Sequence, residues 1–114
     1  MRYVGSKMIV PRSFTGYPQI NAAVADVVRE LSPWVLHIRY EIALDWSEER
    51  AVFFRVVLSD EAVTRPNLRN VTTQVVSMMT EKLDLPNLGM FPYFDFRSES
   101  EQAALNQPEW AATM

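Results

Sequence analysis

At 114 residues, 48% hydrophobic and 22% charged, the chain has the size and balance of one globular domain, since two would leave neither half a core. It has no cysteine, which excludes disulfides, thiolate catalysis and thiolate-bound zinc and fits a reducing, cytoplasmic setting. A formal net charge of −3 argues against strong non-specific binding to nucleic acid or an anionic membrane, and no apolar run approaches the roughly 18 residues of a bilayer span.

Residues 1–17 carry Gly5, Pro11 and Gly16 and hold no period, so an irregular amino-terminal arm is expected, with residues 7–10 as its one candidate strand. Arg2 and Lys7 precede no apolar stretch of the secretory kind, and Met8 serves as well as Met1 for a natural start. Pro18 suits a first helical turn, where its missing N–H costs nothing. From there Ile20, Ala23, Val24, Val27, Val28 and Leu31 fall on one helical stripe, which Ser32-Pro33 ends.

Residues 36–59 read as a long hairpin. Leu36, Ile38, Tyr40, Ile42, Leu44 and Trp46 alternate with polar or small residues, and Val52, Phe54, Val56 and Leu58 form a second set. Both sets must share a face, so even positions oppose even positions. The expected pairs are Trp46 with Val52, Leu44 with Phe54 and Ile42 with Val56, around a loop of three residues (48–50) or five (47–51).

Ser59-Asp60-Glu61 and Thr64-Arg65-Pro66 both look like helix starts, the second being the main one. Leu68, Val71, Val75, Met78, Met79 and Leu83 carry that helix to about Lys82, and residues 84–89 break it. Residues 90–97 read as a third strand with Met90, Pro92, Phe94 and Phe96 toward the core. Pro92 marks it as an edge, and an edge offers a site for pairing between chains. Ser98-Glu99-Ser100-Glu101 is a capping box that opens a short helix, followed by a tail carrying Trp110.

The expected fold is therefore a single α+β domain over 1–114 in the order α-β-β-α-β, with a short carboxy-terminal helix and tail over 98–114. Two amphipathic helices cover one face of a small mixed sheet of strand order 2-1-3. This outline is similar to that of KH-like RNA-binding domains and to half of a ferredoxin-like sandwich, although no Gly-x-x-Gly occurs among the three glycines.

Function then turns on the sheet face that the helices leave open. Its candidate binding residues are Arg39, Glu41, Phe53, Arg55, Phe91, Tyr93, Asp95 and Arg97, with His37, Asp45 and Val57 beside them. One reading is a solvated face with cross-strand ion pairs such as Glu41 diagonal to Arg55. The stronger reading is a protein interface, because aromatics and arginine are enriched in interface cores and balanced charges can complement themselves about a two-fold axis. A nucleic-acid reading would stack bases on Phe53, Phe91 and Tyr93 with arginines on phosphates, but Glu41, Asp45 and Asp95 would repel the backbone.

An enzyme reading rests on the single histidine. Yet His37 stands about 13 Å from Glu41 and about 26 Å from Asp45 along an extended strand, too far to work together. Asp45, Glu48, Glu49 and Glu61 lack a calcium-loop pattern, and Met78, Met79 and Met90 suit a core. The expectation is a cytoplasmic, non-enzymatic binding or assembly protein without catalytic residues, metal or cofactor. Its partner would be a second copy or another protein. A single-stranded nucleic-acid module and a small enzyme using His37 are the alternatives.

Overall fold

The computed structural model describes residues 16–110. The expected strand at 7–10, the remainder of residues 1–15 and residues 111–114 of the tail lie outside them, whereas Gly16 and Tyr17, the last two residues of the expected irregular arm, are the N-cap and first residue of a helix. Helix α1 (Tyr17–Glu30) buries Ile20, Ala23 and Val27 on the anticipated stripe, with Pro18 in its first turn. Strands β1 (Val35–Leu44) and β2 (Arg50–Leu58) follow, then helix α2 (Arg65–Lys82) and a 3-10 turn at Leu85–Leu88. Strand β3 (Phe91–Ser98), helix α3 (Glu99–Leu105) and a 3-10 turn at Pro108–Trp110 complete an α+β fold. None of its described helices is long and apolar enough to cross a membrane.

The hairpin keeps even opposite even, but its register differs from the expected one. Ile38 pairs with Val56, Tyr40 with Phe54 and Ile42 with Val52, so the partner of each β1 residue lies four positions earlier in β2. The cause is a turn that starts sooner, at residues 45–49. The Asp45 N–H donates to the Glu49 carbonyl at 2.8 Å, and Glu48 takes the left-handed conformation (φ 66) typical of a three-residue hairpin loop. Trp46 therefore leaves the sheet and is 80% exposed instead of lying in the core. At the other end a bulge between Val35 and His37 puts Val35 inside and turns Leu36 outward.

Strand order is β1-β2-β3, not 2-1-3. All of β2 from Ala51 to Leu58 is buried except Phe53 and Arg55, as suits a strand flanked by β1 on one side and β3 on the other. The crossover through α2 then sets β3 down beside β2 and parallel to it. Phe54, with no exposed surface, sits at the centre, its ring 6.2 Å from Tyr40 and 5.0 Å from Phe94. Val71, Val75 and Met79 of α2 close over it with the buried face of α1. Burying a Phe side chain contributes about 1.5–3 kcal/mol.

Residues 59–61 do not start a helix. The Ser59 hydroxyl accepts the Ala62 N–H to close a turn, and the Asp60 carboxylate reaches α3, accepting from the Ser100 N–H (3.0 Å) and hydroxyl (2.6 Å). Thr64 stands at the N-cap of α2, but its hydroxyl donates to the Glu61 carbonyl. The capping box of α3 is complete: Ser98 accepts from the Glu101 N–H, and the Glu101 carboxylate accepts from the Ser98 N–H.

Candidate functional site: an open sheet face closed at both ends

Register lines up the outward side chains in four rows across β1, β2 and β3. They are His37–Val57–Arg97, Arg39–Arg55–Asp95, Glu41–Phe53–Tyr93 and Ala43–Ala51–Phe91.

The first row is covered by the chain itself, which corrects the expectation of a wholly unshielded face. The Pro108–Trp110 turn folds onto it, and Trp110 is 4% exposed. The Arg97 guanidinium lies 4.1 Å from the centre of the Trp110 ring and donates to Gln102 (3.2 Å) and Gln107 (2.6 Å). His37 donates through Nε2 to the Trp110 carbonyl at 2.6 Å. Val57, expected on the open surface, is buried.

The hairpin loop folds over the opposite end. Asp45 Oδ1 accepts from the Ser47 hydroxyl (2.7 Å), the Ser47 N–H (2.9 Å) and the Glu49 N–H (3.0 Å), an Asx turn. Its other oxygen accepts the Tyr93 hydroxyl at 2.8 Å, reaching past β2 to β3. The β1 and β2 residues at that level are alanines, Ala43 and Ala51, whose small side chains leave room for the loop. The Ser47 hydroxyl bond, with the Glu49, Tyr93 and Ser47 donors behind it, outweighs desolvation and lowers the Asp45 carboxyl to about 2. The hydrogen bond that Tyr93 donates to Asp45, with desolvation and the nearby charges of Asp45 and Glu49, raises the Tyr93 phenol above its ordinary value. Trp46 leans on Tyr93 (centroids 5.3 Å), and Tyr93 stacks on Phe53 (5.2 Å, 16° between planes).

Between these two covers lies a polar band. Arg55 pairs with Glu41 at 3.1 Å, diagonal across the strands as expected, with side chains 23% and 28% exposed. Arg39 stands directly opposite Arg55. Asp95 faces Arg55 in register on β3, and a shallow depression of ≈ 220 Å³ runs along Phe53, Arg55, Tyr93 and Asp95. Phe91, on the fourth row, is 53% exposed. The structure thus brings Arg39, Glu41, Phe53, Arg55, Tyr93 and Asp95 together, sets Phe91 at their margin and commits Arg97 to the tail. Among the described residues no three His, Asp or Glu side chains converge to hold a metal ion.

The β3 edge presents little to a partner strand. Its outward backbone positions are Pro92, Phe94, Phe96 and Ser98. Pro92 has no N–H, the Phe96 N–H donates to the Asp95 side chain (3.1 Å), and the Ser98 N–H donates to Glu101 (3.1 Å). Only Phe94 keeps an outward donor free of proline and of these caps, so the edge is blunted against pairing between chains.

Sequence reasoning missed the positions that Trp46 and Trp110 take up. Trp110 gives no periodic signal, whereas Asp45-x-Ser47 was an available Asx-turn signature for an earlier turn. No family model matches the chain, and neither the curated proteins nor the solved structures searched contain a match.

Proposed function

We propose that this protein is a cytoplasmic, non-enzymatic binding or assembly module that pairs with a second copy through the centre of its open sheet face. One observation carries the reading: the band of Arg39, Glu41, Arg55 and Asp95 lies against the Phe53–Tyr93 stack, with Phe91 exposed beside it, on a face that neither α1 nor α2 covers. Guanidinium and aromatic groups dominate interface cores, and adjacent rows of opposite sign can meet their counterparts across a two-fold axis. The blunted β3 edge disfavours pairing along that side of the sheet. The acids within the band disfavour a phosphate backbone.

Sedimentation equilibrium tests this. The wild type should be dimeric. Phe91→Glu should shift it to monomer with an unchanged circular-dichroism spectrum, and Arg55→Glu should do the same. A wild type that stays monomeric across the accessible concentration range ends the proposal, and salt-dependent retention of single-stranded RNA on a filter would replace it with the nucleic-acid reading.

A further inference from the structure

The open face is electrically divided. Its first two rows hold Arg39, Arg55 and Arg97 with Asp95 as their one acid. From the third row to the hairpin tip it carries Glu41, Asp45, Glu48 and Glu49 and no lysine or arginine, because Arg50 shares the parity of Val52 and Phe54 and so belongs to the helix side. Glu41 is held by Arg55, but none of the ion pairs among the described residues takes up Asp45, Glu48 or Glu49. Asp45 is met by four hydrogen-bond donors, whereas Glu48 and Glu49 stand exposed in the loop.

The same end is aromatic. Trp46, 80% exposed, leans on Tyr93, which stacks on Phe53, and Phe91 lies exposed on the neighbouring row. The charge of Glu49 is close enough to Tyr93 to help raise its phenol, so acid and rings share one site. Rings alone would suit any apolar partner. Rings whose surrounding charge is all of one sign select a cation, since the ring face and the carboxylates attract the same group. A guanidinium fits better than an ammonium: it is planar, lies flat on an indole, is more weakly hydrated and offers two N–H groups side by side to a carboxylate.

We infer that the hairpin tip is a docking site for an arginine-bearing segment of a partner protein, with a guanidinium flat on the Trp46 ring and its N–H groups directed to Glu48 and Glu49. The tip stands beyond the centre of the face, so the inference does not rest on pairing between copies, which sedimentation reads separately.

The probe is a fluorescein-labelled peptide of alternating arginine and serine, with citrulline in place of arginine as its uncharged counterpart. Anisotropy with the full chain should show the citrulline peptide binding at least about tenfold more weakly. Trp46→Ala should weaken the arginine peptide about fivefold or more without unfolding the chain, at a site so exposed. Glu48→Gln with Glu49→Gln should weaken it as well and flatten its salt dependence. On binding, the Trp46 indole N–H and the amides of residues 45–49 should shift in NMR spectra while those of α3 stay in place. A folded chain that binds no arginine peptide at low ionic strength overturns the inference. So does Trp46→Ala binding as tightly as wild type, which would mean diffuse attraction to an acidic chain, or a citrulline peptide binding equally well, which would make the occupant a neutral apolar segment. Loss of the wild-type dimer in Trp46→Ala would overturn it too, by assigning the tip to a second copy.

Discussion

Asp45 shows how one side chain can decide a register. Its carboxylate gathers two backbone N–H groups and two hydroxyls, turns the chain five residues before the second strand and ties the loop to Tyr93. Its folded pKa, about 2, lies below the ordinary 3.8. Its stabilising contribution is therefore complete above the ordinary value and is lost as pH falls through the folded one. Asp45→Asn should lower the urea midpoint at neutral pH, and the gap from wild type should close as pH approaches 2. A gap that stays constant over that range would show that shape, not charge, holds the loop. Tyr93 carries the opposite sign: its pKa is raised, so its contribution is whole below the ordinary phenol value and fades as pH climbs through the folded one. Tyr93→Phe should accordingly lose less stability than wild type on alkaline titration.

Among the elements, β3 and α3 are the least anchored in apolar contacts. Helix α3 has seven residues and buries none of them, so the Ser98–Glu101 box, the Asp60 clasp on Ser100, the Arg97 bond to Gln102 and the tail hold it. A helix of that length does not persist in water without such ties. Ser98→Ala should cost about 1 kcal/mol by removing the cap. Hydrogen exchange should find the amides of residues 102–105 opening well before those of α2, and faster still in Asp60→Ala. On β3, Pro92→Val combined with Asp95→Ala would restore two outward donors, and light scattering should then show assemblies larger than those of wild type.

The same elements mark what the sequence could tell. Periods of 3.6 and 2 placed α1, α2 and the three strands, because burial of one face imposes those periods directly. The parity of the hairpin followed from the same rule, and so did the Glu41–Arg55 diagonal. Strand order did not, since it depends on the side of the hairpin on which the α2 crossover sets β3 down. The clue is a β2 with Phe53 and Val57 among its outward positions, a pattern that an exposed binding patch shares with a covered central strand. The coverage of the face by Trp110 was equally hidden, being a contact between residues 73 positions apart that leaves no local pattern.

For the molecule as a whole, Trp46 and Trp110 give the sharpest test of where stability resides. Trp46 keeps the period of β1 yet is 80% exposed, whereas Trp110, in a tail without period, is 4% exposed. Trp110 shields one end of the sheet face that α1 and α2 leave open, and it gives Arg97 and His37 their partners. Truncating a buried tryptophan costs about 3–5 kcal/mol, a large share of the roughly 5–15 kcal/mol that holds a domain of this size. Exposed positions usually change stability by within about 0.5 kcal/mol. Trp110→Ala should therefore lower the urea midpoint strongly and raise exchange at Val57, while Trp46→Ala should leave the midpoint nearly unchanged. A reversed order of the two midpoints would mean that the tail lies off the sheet in solution and that the open face extends over all four rows.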